Sequence, residues 1–291
     1  MLVNQLKGTF QSNELVSILP VLVLYKMSLR ESKTFCTLKS CAIATGVKLE
    51  LLVYDNSADP EIPDDLTDDT FTIHYISNRS NPGVSTAYNH GALLAEQLDK
   101  KWLLLLDQDT EIPENFLSAF MEGYRQHENE SLFSPVLKSG EQLLSPSLFL
   151  FYRGFAPGKV FMGVNKLKYR VPLNSGLIIK RELFVLAGGY NEKLPLDFSD
   201  FDFLRRCKPF CRTFVVFNAC CMHSLSSSEI ESVDKVLGRF VYYVDGAREY
   251  AQTIGQRFTL FGVLLLRTLQ LTIRFKDAAF FSVFLKRYFS N

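Results

Sequence analysis

The segment that most restricts this chain is WLLLLDQDT at residues 102–110, where five consecutive apolar residues stop at two aspartates separated by one residue. A short unbroken apolar run reads as a strand buried on both faces, which places it inside a parallel sheet covered by helices. Ligands of such sheets bind outside the carboxyl ends of the strands, and this strand turns acidic at that end. On an extended segment Asp107 and Asp109 lie on the same side. Carboxylates held so close raise one another's pKa unless a cation sits between or beside them. Hard oxygen ligands suit Mg2+ or Mn2+, which bind through one or two carboxylates and the phosphates of a substrate. A single D-x-D is equally compatible with a strand that ends in a solvated acidic turn.

A chain of 291 residues, 47% hydrophobic, accommodates one large α/β domain and a smaller appended element, here expected at 1–225 and 226–291. The net charge of +1 gives no electrostatic basis for binding nucleic acid. A secreted disulfide framework is not expected, because no positive segment or small-residue cleavage site precedes the apolar run at 15–25. Cys207, Cys211, Cys220, Cys221 and His223 are poorly spaced for structural zinc, so the expectation is buried, reduced thiols in a cytosolic protein.

Apolar runs at 20–25, 49–54 and 71–77 predict three strands ahead of the central one, with a helix over 29–45 closed by Gly46. The second strand also ends in acid, at Asp55-Asn56-Ser57, and the acidic stretch 59–69 reads as a surface loop. Residues 78–91, NRSNPGVSTAYNHG, form a loop rich in Asn, Ser and Gly that runs into a helix ending near Leu98. Free N–H groups at such a helix start can cradle a nucleotide or a phosphate. Neither G-x-G-x-x-G nor G-x-x-x-x-G-K-[ST] occurs, which disfavours a dinucleotide fold and a P-loop NTPase. A helix over 113–127, strands over 132–137, 173–180 and 213–218, and a helix over 181–187 stopped by Gly188-Gly189 complete a mostly parallel sheet wound with helices. Residues 138–171 are long, aromatic and basic, and predict a mobile wall over the site.

A second acid cluster, LDFSDFDFLRR, occupies 196–206. Phe198, Phe201 and Leu204 at three-residue steps predict a short helix with a buried stripe. Asp197, Asp200 and Asp202 are set among aromatics, and partial desolvation raises a carboxyl pKa and makes it a better proton acceptor. The alternative is a helix start decorated with acid for its dipole. His223, shortly after the last strand, is a candidate third metal ligand. From about 226 only helical patterns remain, and Arg267 interrupts the apolar segment 257–288, so no run reaches the roughly 20 residues of a spanning helix. Arg257, Arg267 and Arg274 share an arc of about 100° opposite Leu, Ile, Val and Phe. Such a helix lies in a membrane interface, where basic residues favour anionic lipid, or packs on a partner or on the catalytic domain.

Together these residues resemble family 2 glycosyltransferases of the GT-A fold, nearest in character to bacterial rhamnosyltransferase-like enzymes of surface-polysaccharide assembly. The resemblance covers about 16–223, and a helical tail is typical of membrane-associated members. Val23-Leu24-Tyr25 resembles the first-strand signature, and Tyr54-Asp55-Asn56-Ser57 the turn that receives the nucleoside base. Asn81-Pro82-Gly83 through Asn89-His90-Gly91 resembles the Asn/Gly loop beside the donor. Asp107-Gln108-Asp109 matches the D-x-D element of ribose and metal contacts, while Asn174-Ser175-Gly176 and Gly188-Gly189-Tyr190-Asn191-Glu192 match the acceptor-side strand and helix. Asp200 falls at the catalytic-base position and His223 at that of a late metal-binding histidine. The Glu that usually precedes the base is Ser199 here, which keeps Asp197 and Asp202 open as bases. A downstream Tyr-Tyr-x-x-Arg-Asn element survives only as Tyr242-Tyr243 with Arg248 displaced.

The resemblance implies an inverting, Mg2+- or Mn2+-dependent transferase. It would move a sugar from a nucleoside-diphosphate sugar, with dTDP-rhamnose the family favourite, to a saccharide or lipid-linked saccharide acceptor. Tyr25, Asp55, Asn81, Gly83, Asn89, Asp107 and Gln108 would hold the donor, Asp109 and His223 the metal, and Asp200 the acceptor's proton. The expected setting is cytoplasmic, peripheral on the inner face of the cytoplasmic membrane through the C-terminal helices, with a homodimer as an open option. A haloacid-dehalogenase-type phosphohydrolase is the rival enzyme, but it wants Thr or Val where the chain has Glu111 and carries its D-x-D on the first strand. A non-catalytic, membrane-docked scaffold is the third reading. An EF-hand fails at Ile112 and Ser118.

Overall fold

A computed structural model describes residues 14–223 and 232–289 of the chain. The strands, in chain order, are β1 (Ile18–Leu24), β2 (Leu49–Asp55), β3 (Phe71–Ser77), β4 (Trp102–Asp107), β5 (Thr110–Glu111), β6 (Leu132–Ser139) and β7 (Gln142–Ser145). They continue as β8 (Ser147–Leu150), β9 (Arg153–Phe155), β10 (Gly163–Lys166), β11 (Arg170–Val171), β12 (Leu177–Lys180) and β13 (Thr213–His223). Ten of them form one sheet along the path β10-β13-β6-β12-β4-β1-β2-β3, with β5 on β13 and β7 on β6; β11, β8 and β9 form a separate small sheet. Strands β1 to β4 pair in parallel, as do β6 and β13, while β12 enters antiparallel between β4 and β6.

The helices are α1 (Lys33–Thr45), α2 (Val84–Gln97), α3 (Phe116–Gln126), α4 (Arg181–Leu186), α5 (Ser199–Cys207), α6 (Val233–Tyr250), α7 (Ile254–Phe275) and α8 (Ala279–Phe289). The apolar run on β4 is needed because both faces of the sheet are covered. Trp102, Leu104 and Leu106 join the core under α1 and α3, and Leu103 and Leu105 join the core under α2, α4 and α5. All five are fully buried, and truncating one such leucine costs about 2–5 kcal/mol. Trp102 stands edge-on to Phe120, Tyr124 and Phe133 at 5.4–5.7 Å.

Several elements depart from the sequence reading. Helix α1 begins only at Lys33, because Ser32 caps it by accepting from the Phe35 N–H, and residues 29–31 form a separate 3-10 turn. Residues 138–171, expected as an irregular mobile wall, are instead built from β7 to β11. Their apolar positions give the reason, since Phe149 packs on Phe201 at 4.9 Å and the Ser147 hydroxyl ties to the Val171 carbonyl. The expected 173–180 strand is only β12, residues 173–176 forming the turn before it, and β13 runs five residues past the expected end, so His223 closes the strand rather than coming after it. The single apolar tract at 257–288 breaks at Lys276, whose φ of +53° ends α7.

The expected boundary at 225/226 lies outside the described residues. Helices α6 to α8 form a third core that also takes in Leu194 and Phe198 from the preceding segment. Helix α7, at 22 residues, is by length and composition long and apolar enough to cross a bilayer, contrary to the expectation that Arg267 would prevent it. One side of it buries Leu260, Leu264 and Leu271, and Arg267 is on that inward side. Ile254, Phe258, Leu266, Leu269 and Ile273, at steps of three, four or eight, make an exposed apolar stripe on the other side.

Candidate active site

Strand register brings the acidic ends together. Leu24 pairs with Asp55 and Val23 with Asp107, so β1, β2 and β4 finish within one residue of each other at the same edge. Because β12 runs antiparallel to β4, the turn preceding it returns to that edge, and the Ser175 hydroxyl donates to the Asp107 carboxylate. The Tyr88 hydroxyl from α2 donates to the other oxygen at 3.2 Å. Asp107 is therefore a fixed acceptor whose repulsion toward Asp109 is partly offset by two hydroxyl dipoles.

The chain after Asp107 does not stay extended. Gln108 and Asp109 form a turn, and helix α1 pins its backbone: Ser32 donates to the Gln108 carbonyl, while Thr34 donates to the carbonyls of Asp107 and Thr110. The side-by-side strand geometry expected for the two aspartates is thus replaced by a strand end and a turn. Pairing of β5 with β13 sets His223 opposite Thr110. His223 Nδ1 then lies 3.0 Å from Thr110 Oγ1 and 3.4 Å from Asp109 Oδ1. Burial pushes the Asp109 carboxyl pKa up and Asp107 adds to the push, while His223 opposes it.

Asp200 reaches the same cleft from α5. Phe203 of that helix stacks on Tyr190 with centroids 4.2 Å apart, and Tyr190 packs on Tyr88 at 5.2 Å, so an aromatic column links α5 to the β4 edge. Asp200 is half-buried, and its carboxylate accepts a hydrogen bond from the Phe201 N–H at 2.8 Å. Burial, with smaller pushes from Asp197 and Asp107, brings its pKa up to about 7. Asp202 behaves differently: Arg205 at 2.5 Å and Arg206 at 2.8 Å clasp its two oxygens, and Arg206 also holds the carbonyls of Ala187 and Gly189. Of the three acids open as bases, Asp202 is thereby a structural clasp. Asp197 lies 4.0 Å from Arg239, on the wall of an adjoining cavity.

Residues 36–177 match the family described as Glycosyl transferase family 2. The matched segment is 142 of the chain's 291 residues, just under half, and is similar to that family. The chain is also 24% identical over 159 residues to RfbF of Shigella flexneri, a dTDP-rhamnosyl transferase, a match covering 54% of this chain and 53% of the relative. The chain thus spans about half the length of that relative. Among solved structures, S. aureus TarS is similar with a TM-score of 0.52 at 13% identity, over 92% of this chain and 55% of that one. The GT-A architecture expected from the sequence is the one found.

Several residues assigned to the donor turn out to be committed to the protein itself. Asn89 accepts from the Tyr190 N–H and donates to the Tyr190 carbonyl and to Glu192, which makes it a bracket between α2 and the Gly188-Gly189 turn. Gly83 has φ +89° and a Cβ there would lie 2.2 Å from the Pro195 carbonyl oxygen, so glycine is required for close approach of that segment rather than for a phosphate. The next N–H, of Val84, donates to Pro195 and is not free. Gln108 clasps the backbone of Tyr25, accepting from its N–H at 2.7 Å and donating to its carbonyl at 3.2 Å. Asp55 is buried and accepts from Ser57 N–H at 2.8 Å and the Tyr75 hydroxyl at 2.5 Å. Tyr25 is exposed at the edge, and the Asn81 side chain makes no hydrogen bond among the described residues.

Sequence reasoning gives Tyr88, Ser175 and Tyr190 no individual role at the site. On α2 Tyr88 looks like one more member of a buried stripe with Ser85, Ala92 and Ala95. Only the long-range contact with Asp107 distinguishes it.

The donor set fits a hard divalent ion completed by substrate. One carboxylate and one imidazole meet at a sheet edge, and no group of three or more His, Cys, Asp or Glu side chains forms a closed cage among the described residues. Mg2+ and Mn2+ are held in this manner, with phosphate and water oxygens filling the remaining positions.

Proposed function

We propose that the protein transfers a sugar from a nucleoside-diphosphate donor to a hydroxyl of a saccharide acceptor, with inversion at the anomeric carbon and with Asp200 as general base. The observation that carries this reading is Asp200 itself, a desolvated carboxyl without a cation partner among the described residues, brought within electrostatic reach of Asp107. A pKa near 7 suits a base that must be ionised to accept a proton yet basic enough to take one. Asp107 and the turn Asp55-Asn56-Ser57 would position ribose and base, Tyr25 would flank the nucleoside, and Asp109 with His223 would hold Mg2+ or Mn2+. When bound, that ion would neutralise charge on the departing diphosphate. The relative's printed activity makes dTDP-rhamnose the first donor to try.

The test is a donor screen read by mass spectrometry, and then Asp200→Asn on the productive pair. Transfer should fall by about 10²–10⁴ while Mn2+-dependent nucleotide binding persists, and wild-type transfer should rise with pH through about 7. Undiminished turnover of the variant removes Asp200 from the role.

The outer face of α7 supports docking on a cytoplasmic membrane surface. Phe258 and Ile273 are 76% and 74% exposed on an apolar stripe, with Arg257, Arg274 and Lys276 exposed beside it. The protein should float with vesicles containing anionic lipid, and the pair Phe258→Glu and Ile273→Glu should leave it in the dense fraction. Equal flotation of wild type and variant would refute membrane docking through α7.

A further inference from the structure

Between the catalytic edge and the tail helices lies a cavity of about 880 Å³. Tyr25 forms part of its wall, and so do Asp197, Phe198 and Phe201, which flank Asp200 on both sides in the chain. The cavity therefore adjoins the donor edge and the proposed base. Its charged lining is Arg153, Lys235, Arg239 and Arg267 against Asp197 and Asp234, four cations to two carboxylates.

Three of those cations come from separate elements, β9, α6 and α7, and they converge. Arg239 Nη2 is 4.0 Å from Asp197 Oδ1, Arg239 and Arg267 both act electrostatically on Asp197, and Arg153 and Arg267 both act on the Tyr243 hydroxyl. The Arg267 guanidinium has no hydrogen bond or ion pair among the described residues, and Asp197 Oδ2 is buried without a hydrogen-bond partner. Arg267 thus brings a guanidinium without a side-chain partner among the described residues to a wall that already carries net positive charge, which favours an anionic ligand. Much of the remaining wall is aromatic or apolar, including Tyr152, Phe155, Tyr242 and Leu271. Such surfaces suit sugar rings or hydrocarbon.

We propose that this cavity is the acceptor subsite, in which Arg153, Arg239 and Arg267 hold a phosphate group carried by the acceptor while an acceptor hydroxyl reaches Asp200. The assignment rests on the transferase reading of the adjoining cleft. Guanidinium forks match phosphate oxygens bidentately, and an excess of two positive charges answers a phosphate monoester's charge of about −1.5 to −2 at pH 7. Asp197 Oδ1, beside Arg239 on the same wall, is the carboxylate oxygen nearest that cation. The phosphate could belong to a lipid carrier or to a soluble phosphosaccharide, which differ in the alcohol esterified to it.

Calorimetry on the full chain separates these cases. The probes are decyl phosphate, glucose 1-phosphate and octyl glucoside below their micelle concentrations. Each is titrated with Mn2+ and whichever of dTDP, UDP or GDP binds already at saturation, so that the donor edge is occupied. Both phosphates should bind at least tenfold more tightly than octyl glucoside. The double variant Arg239→Gln, Arg267→Gln should weaken them about 30-fold or more without altering nucleotide affinity. Tighter binding of decyl phosphate than of glucose 1-phosphate assigns a lipid carrier, and equal binding assigns a soluble acceptor. Octyl glucoside binding as tightly as decyl phosphate overturns the proposal, as does a double variant that binds phosphates like wild type. If the double variant does not fold, Arg153→Gln on the partly exposed β9 replaces it with the same expectation. Asp109→Asn should abolish nucleotide binding and spare phosphate binding. Phosphate binding with no affinity for any nucleoside diphosphate would support the anion site and overturn its role as an acceptor subsite.

Discussion

The turn holding Asp107 and Asp109 and the helix start holding Asp200 and Asp202 present the same pattern, two aspartates separated by one residue, and they treat it in opposite ways. At the sheet edge the two acids meet hydroxyls, an imidazole and the charge of Lys33, with no guanidinium clasp among the described residues. Asp107 takes hydroxyls from Tyr88 and Ser175, and Asp109 faces an imidazole that can itself be a ligand. On α5 one acid is bound by two guanidinium groups while its neighbour two residues away has none among the described residues. Spacing alone therefore says little about the role of a carboxylate. The partners that tertiary packing delivers decide whether it supports the fold, takes a proton or waits for a metal.

The comparison breaks most visibly at Asp202. Replacing it with Ala leaves Arg205 and Arg206 partly buried without their counter-ion, and urea unfolding should show a loss of about 3 kcal/mol. A loss below about 1 kcal/mol would mean that the Ala187 and Gly189 carbonyls suffice to hold Arg206.

Asp200 should respond in the reverse direction. Its folded pKa is raised from the ordinary 3.8 to about 7, so between those values the folded state keeps a proton that the unfolded state has lost. Stability conferred by the neutral form is fully present below about pH 4 and is lost as pH rises through about 7. Asn cannot ionise, so Asp200→Asn should raise Tm at pH 8 relative to wild type, with the gain shrinking toward pH 4. A variant less stable than wild type at pH 8 contradicts the desolvated, unpaired assignment.

The smallest effect is expected at Gln108, whose amide makes two bonds to the Tyr25 backbone. Its truncation to Ala should remove about 1 kcal/mol in all, seen as a three- to tenfold weaker affinity for a nucleoside diphosphate. Unchanged affinity would show that Tyr25 is held by other means.

Much of the sheet is readable in the sequence because its cause is local. The apolar runs at β1, β2 and β4 must be buried on both faces, and their acidic ends align once the strands pair in parallel. The path through β12 and the five extra residues of β13 are not readable. In the second case Asn218, Cys220 and His223 interrupt the apolar pattern, yet pairing with β6 and β5 continues past them. The loop residues Gly83 and Asn89 carry a donor-loop resemblance, but their geometry shows contacts with Pro195, Tyr190 and Glu192 more than 100 residues downstream. Helical arc groups Arg267 with two exposed arginines, and packing turns it to the Asp197 cavity instead.

By itself the sequence determined the class of fold, the edge at which chemistry collects and the short list of acids that could perform it, since hydrophobic period and strand-terminal charge depend only on neighbours in the chain. The tertiary structure alone decided which acid is paired and which is bare. His223 reaches Asp109 across 114 residues and Ser175 reaches Asp107 across 68, through an antiparallel insertion that no local pattern announces. Desolvation and ion pairing depend on what fills the surrounding few ångströms, and in this protein that space is filled by segments far apart in sequence.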